Sequence, residues 1–336
     1  MGPRIGSVCS GYRGLDMAVE AVFGGTTAWV SDIDPGANAV LAHHWPTVPN
    51  LGDLTAVDWS AVEPVDIFCG GYPCQPFSSA GKRKGTADER HIWPWIARAL
   101  RVLRPQVAVF ENVAGHLRLG FDVVLRDLAE LGFDVEWDVV RASEVGAPHQ
   151  RNRLFLLATA ADTPNVGHQR ARGARGRGHG PADHRDAPAD TARILPEHSE
   201  LPLGRNAVQL GVRADAPRRD ATYVADPDRV GRGSDQPDLR AGQPDAGWGR
   251  FASAVARWEH ATGRRAPWAT DDRNRLSPAF VEWLMGLPAG HVTNVPGLTR
   301  TQQLHTLGNG VVPQQATAAL LTLFDRHTAQ AMNAAA

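Results

Sequence analysis

The chain reads as an α/β protein, a parallel sheet with helices on both faces, broken by a smaller insert. Three observations carry that reading. Strand-like and helix-like stretches alternate from Arg4 to about Thr159, the pattern of a sheet covered on both sides. The first strand runs into a glycine turn, Ser10-Gly11-Tyr12-Arg13-Gly14. Beyond Asp162 the periodicity stops and Arg, Gly, Pro, Asp and His take over until about Gly249.

In chain order, Ile5 to Val8 is the first strand, and Leu15, Ala18, Val19 and Val22 follow at helical spacing. Thr27 to Val30 is the second strand. Pro35 opens the next helix at a first-turn position that needs no N–H. Asp53, in Gly52-Asp53-Leu54, ends a third candidate strand. Val65 to Cys69 is an apolar run but for Asp66 and is stopped by Gly70 and Gly71, as a strand buried on both faces would be. Ile92 to Leu103 predicts a helix, Gln106 to Phe110 a strand, Phe121 to Leu131 a helix, and Val135 to Val140 and Leu154 to Ala158 two more strands. After the insert, Phe251 to Thr262 is an amphipathic helix. Pro278 to Leu284 opens another, and the last runs from Pro313 to about His327.

Composition narrows the class. The 336 residues are 43% hydrophobic and 21% charged, enough to build a core over about two domains. No apolar run approaches membrane-spanning length and no leader pattern opens the chain. Three cysteines without regular spacing predict neither a disulfide framework nor a zinc site, and point to the cytoplasm. The formal charge of −1 gives no hint of a partner. Lys82 and Lys84 are the only lysines, in a stretch otherwise suited to touching phosphates.

Four places bear chemistry. Gly11 and Gly14 let backbone approach a ligand at a helix N-terminus. Asp32, about 20 residues on, suits ribose hydroxyls, and Asp53 suits an adenine amino group; either could instead cap a helix. Cys74, in Pro73-Cys74-Gln75-Pro76, is presented by rigid backbone after a strand, as a covalent nucleophile would be. Cys9 and Cys69 read as small buried hydrophobes. Glu111 leaves an apolar strand, where desolvation raises a carboxyl pKa. Arg151 and Arg153 fall on one side of an extended segment, so their guanidinium groups converge.

These blocks resemble the DNA cytosine-5 methyltransferases of bacteria and phages. The resemblance rests on Pro73-Cys74-Gln75-Pro76-Phe77-Ser78, Glu111-Asn112-Val113, Gln150-Arg151-Asn152-Arg153, the run from Leu276 to Gly286, and Leu307-Gly308-Asn309-Gly310-Val311. It covers Arg4 to about Ala160 and Leu276 to the last helix. It implies a Rossmann-like class I methyltransferase core and S-adenosyl-L-methionine as cofactor. The cofactor would be held by Cys9, Ser10, Gly11, Tyr12, Gly14, Asp32, Ile33, Asp53, Leu54, Pro73, Asn309 and Val311. Catalysis would fall to Cys74, Glu111, Arg151 and Arg153, with no metal. One departure stands out. The family's usual Phe-x-Gly-x-Gly-Gly is Cys9-Ser10-Gly11-Tyr12-Arg13-Gly14 here.

By the same resemblance, residues 1–161 form the catalytic domain, 162–275 the target-recognition domain and 276–336 a returning segment. Trp248, Trp258 and Trp268 would pack the insert's own small core. The implied partner is double-stranded DNA, met by a monomer; a cognate restriction endonuclease encoded nearby, phage defence and solitary marking are all settings the residues leave open. Transfer RNA as substrate, or a catalytically silent DNA-binding homologue, are the alternatives the residues leave open.

Overall fold

The computed structural model describes residues 2–73, 92–161 and 247–335. The expectations placed on Cys74, Lys82 and Lys84, and on residues 162–246, lie outside the described residues.

Six strands form one sheet: β1 (Arg4–Val8), β2 (Thr26–Ser31), β3 (Ile67–Gly70), β4 (Val107–Val113), β5 (Phe133–Val140) and β6 (Arg153–Ala160), in the spatial order β2-β1-β3-β4-β6-β5. The helices between them are α1 (Gly14–Phe23), α2 (Pro35–His44), α3 (Trp93–Leu103) and α4 (Phe121–Glu130). After the insert come α5 (Ala252–Thr262), α6 (Pro278–Leu284), α7 (Arg300–Asn309) and α8 (Pro313–Ala335).

Strand parity explains the layers. In β4, Val107 and Val109 face one side, and Ala108 and Phe110 the other. The first side is covered by α1 and α8 through Leu15, Val19, Val22, Ala316, Leu320 and Leu323. The second is covered by α3 and α4 through Ile96, Leu100, Val124 and Leu128. A sheet covered on both faces gives near-continuous apolar strands, the pattern seen in Val65 to Cys69.

The sheet is not parallel throughout, which corrects the expectation. The pairs β1/β2, β1/β3 and β3/β4 are parallel, but β6 runs antiparallel to both β4 and β5. No α-helix separates β5 from β6, only the 3-10 turn Ala142–Val145. Without a crossover helix, neighbouring strands pair antiparallel. The ladder with β6 also carries β4 past Phe110, so Glu111 and Asn112 lie inside a strand rather than after one.

Smaller corrections follow. The strand expected before Asp53 reduces to an isolated bridge between Val30 and Asn50. Helix α7 was not anticipated, although Thr299 and Gln302 form a capping box at its start. Helix α8 continues past His327 because nothing there breaks it. Trp258 is buried with Trp283, Leu307, Ala142 and Ala147, and its indole donates to Trp283 O at 2.9 Å. Trp248 stacks on Phe280 at 5.5 Å, while Trp268 is 47% exposed. The first two therefore pack on the C-terminal helices instead of a core of the insert's own. No helix among the described residues is long and apolar enough to cross a membrane.

Candidate active site

The chain builds β1, moves outward to β2, then returns to β3 on the other side of β1. Such a reversal opens a crevice at the carboxyl ends of the strands. A cavity of about 480 Å³ lies there, lined by Cys9, Gly11, Asp32, Ile33, Asp53, Leu54, Pro73, Glu111, Arg153 and Asn309. These are ten of the residues expected from the sequence, brought together from seven separate segments. Asp34, Ile92, Asn112, His305 and Thr306 also line it and were not anticipated. His305 and Thr306 belong to α7, so missing that helix meant missing that wall.

One wall is suited to an adenosine. Asp32 Oδ2 accepts the Gly11 N–H at 2.8 Å and Oδ1 accepts the Asp34 N–H at 2.9 Å. The carboxylate thus ties the first turn to the end of β2, with lone pairs left for hydroxyl donors. Burial pushes its pKa up, against the two backbone bonds. Asp53 accepts from the Thr55 N–H and hydroxyl, and those bonds hold its carboxyl below the usual range. Ile33 is 69% exposed, an apolar platform beside both acids. Cys9 is half-buried, and burial, aided by the Asp32 charge, pushes its thiol far up, so it offers a neutral wall. An apolar platform flanked by two carboxylate acceptors fits the adenosyl part of S-adenosylmethionine.

The other wall holds the acid. Glu111 is 8% exposed, and its Oε1 accepts from Arg153 Nε at 2.8 Å. Burial raises its pKa, opposed by the charges of Arg153 and Arg151. A Cβ at Gly71 would stand 3.3 Å from Glu111 Oε2. Gly71, at the head of the segment that leads through Tyr72 to Pro73, therefore packs against the carboxylate.

Four expected contacts turn out to be supports. Tyr12 is buried and its hydroxyl donates to Val311 O at 2.7 Å. Gly14 abuts the same carbonyl, so a side chain there would collide with it. Ser10 pairs with Ser7 at 2.8 Å beneath the turn. Together Tyr12, Gly14 and Val311 join the first turn to the segment after α7 instead of lining the cavity.

Arg151 is also relocated. It precedes β6 with φ 40°, so strand parity does not govern it. Its guanidinium donates to Gly308 O at 2.8 Å and Gly310 O at 2.6 Å, bracing the C-terminal wall rather than reaching the cavity.

Arg13 resolves the departure in the glycine turn. It holds φ 70°, a left-handed conformation that favours glycine. Its buried guanidinium pairs with Asp16 at 3.2 Å and Glu20 at 2.6 Å, bonds Thr27 Oγ1, and lies 4.2 Å over the Trp45 ring. The network offsets a backbone strain of about 1–2 kcal/mol.

Comparison with known proteins agrees with this geometry. Residues 4–202 match the family described as C-5 cytosine-specific DNA methylase. The type II methyltransferase M.NgoBV of Neisseria gonorrhoeae is 33% identical over 166 residues, 46% of this chain and 38% of that protein. A protein of Escherichia phage P1, named a DNA N-6-adenine-methyltransferase, is 41% identical over 126 residues, 33% of this chain and 17% of that one. The chain thus matches well under half the length of these curated relatives. In fold, the Entamoeba histolytica methyltransferase EhMeth aligns with a TM-score of 0.55 at 14% identity, covering 97% of this chain and 99% of that one.

Proposed function

Because the chain belongs to the C-5 cytosine-specific DNA methylase family, we propose that it methylates carbon 5 of cytosine in duplex DNA, with S-adenosyl-L-methionine as donor. The observation that carries this reading is Glu111, buried, paired with Arg153 and packed against Gly71, three residues before Cys74. It sets a proton donor beside the tether of a thiol, over a cavity with an adenosine-compatible wall.

Each residue then has a task. Asp32 and Asp53 accept hydrogen bonds from the adenosine, and Ile33 and Leu54 contact its rings. The cofactor, when bound, supplies a methyl group on a positively charged sulfur. Cys74 as thiolate bonds to carbon 6 of the cytosine ring. Glu111 delivers its proton to ring nitrogen 3, so electron density gathers at carbon 5, where the methyl is accepted. Loss of the carbon 5 proton to water and return of the ring nitrogen 3 proton to the Glu111 carboxylate then expel the Cys74 sulfur as thiolate and restore the aromatic ring. Covalent addition converts a weakly nucleophilic carbon into an enamine-like one. Arg153 holds the Glu111 carboxyl toward the base. The site is recessed, so the cytosine leaves the duplex stack to enter it. Under this reading the enzyme works as a monomer in the cytoplasm and residues 162–275 select the sequence; a cognate restriction endonuclease, phage defence or solitary marking would each use the same residues.

Bisulfite sequencing of DNA from cells expressing the chain tests the proposal. Protected cytosines in a fixed sequence context are expected, and Cys74→Ser should remove them. Methylated adenine, or methyl transfer confined to transfer RNA, would overturn it.

A further inference from the structure

Tyr72 and His116 form a buried pair that no step above uses. The Tyr72 hydroxyl lies 2.8 Å from His116 Nε2. His116, 2% exposed, sits in the 3-10 turn Ala114–Arg118 directly after β4. Its Nδ1 is 3.0 Å from Leu119 O. A carbonyl only accepts, so Nδ1 carries the hydrogen; in the neutral ring Nε2 is then the acceptor and the Tyr72 hydroxyl donates. The Tyr72 ring is packed by Trp93 at 5.5 Å, Phe110 at 6.0 Å and the His116 ring at 5.6 Å. Its backbone is held as well, because Asn112 Nδ2 donates to Tyr72 O at 3.3 Å.

All of these restraints but Trp93 come from one place. Phe110, Asn112 and His116 all belong to β4 or the turn that continues it, the same strand end that carries Glu111. Cys74 follows Tyr72 by two peptide units, a tether of about 7 Å, and Pro73 between them has a fixed φ. Packing alone would fill the space around a ring at position 72. The hydroxyl-to-imidazole bond adds direction, since hydrogen bonds weaken steeply away from linearity.

We propose that Tyr72 and His116 are positioning residues that set the lead-in to Cys74 at a fixed height over Glu111. The proposal rests on reading Cys74 as the nucleophile. Misplacement of a reacting group by about 1 Å costs roughly 100-fold in rate, so the effect of loosening the pair should be read in the addition step.

The test uses the full chain and duplex DNA carrying 5-fluorocytosine at the target site, with covalent adduct formation followed in time. Tyr72→Phe keeps the ring and removes the hydroxyl. It should slow adduct formation roughly 10- to 100-fold, lower kcat by a similar factor and leave the KM for S-adenosylmethionine near wild type, while the unpaired His116 nitrogen lowers the unfolding midpoint without preventing folding. His116→Leu should behave alike, whereas His116→Gln, which keeps an acceptor, should recover most of the rate. Wild-type adduct rates in well-folded Tyr72→Phe and His116→Leu would overturn the pair's role while leaving the nucleophile standing. Absence of adduct in the wild-type chain would overturn the nucleophile, and this proposal with it.

Discussion

Arg153 reaches Glu111 only because β6 runs against β4. In the antiparallel ladder Arg153 stands opposite Val113 and Glu111 opposite Phe155, so the two charged residues are diagonal neighbours, and their side chains meet at 2.8 Å. In the all-parallel sheet that alternation alone suggests, the start of β6 would lie at the far edge from the end of β4. The topological correction is thus what assembles the acid and its cation at the mouth of the cavity.

Under the proposed function, that pairing gives the Glu111 proton a defined direction. Glu111→Gln keeps an acceptor for Arg153 and has no proton to give. Single-turnover methyl transfer should fall roughly 10²- to 10⁴-fold, while calorimetric binding of S-adenosylhomocysteine stays at the wild-type value.

Tyr12 and Arg151 hold the same stretch, Gly308 to Val311, from two sides. Tyr12→Phe leaves the buried Val311 carbonyl unpaired and should cost about 1–3 kcal/mol. Arg151→Ala frees two carbonyls at once. Because both variants loosen one segment, their unfolding free energies should not add, and a double-mutant cycle should show coupling of at least about 0.5 kcal/mol. Additive values would show that the two braces act independently.

Arg13→Gly pits two effects against each other. Glycine relieves the left-handed strain, a gain of about 1–2 kcal/mol. The change also strands Asp16, which is as buried as Arg13 itself, and breaking a buried ion pair costs about 3–5 kcal/mol. The pair outweighs the strain. Chemical denaturation should therefore show Arg13→Gly less stable than wild type, despite restoring the family's usual residue.

One buried and one half-buried histidine predict an acid-sensitive fold. His291 donates to Tyr12 O at 2.9 Å and His149 to Leu284 O at 2.9 Å. Burial lowers the pKa of each below its ordinary 6.5, against those bonds. The unfolded chain therefore takes up protons first, so stability is full above pH 6.5 and is lost as pH falls toward the folded values. Unfolding midpoints measured across that range should decline on the acid side. His291→Gln, still able to donate to Tyr12 O, should flatten the decline.

Much of this was legible in the residues. Glycines punctuating apolar runs marked the ends of β1 and β3, and Pro35 and Pro278 opened helices where the sequence put them. Asp32 and Glu111 stood out because they follow apolar stretches, whereas Asp53 follows no strand. What escaped depended on long-range pairing. The direction of β6 is set by the lack of a helix before it, a weak signal beside the strong alternation upstream. Gly308 and Gly310 disguised the end of α7, although its capping box was in plain view. Tyr12 and Arg151 look like ligand contacts in sequence; only folding reveals that Val311, nearly three hundred residues from Tyr12, is the partner.

The most direct measurement is mass spectrometry of peptides from the chain reacted with S-adenosylmethionine and a duplex carrying 5-fluorocytosine at the methylated position. A nucleotide attached to the Cys74 peptide, with the methyl group retained on the base, is the expected result. Efficient methylation of ordinary cytosine with no adduct on that peptide, or with the adduct on Cys9 or Cys69, would contradict the account.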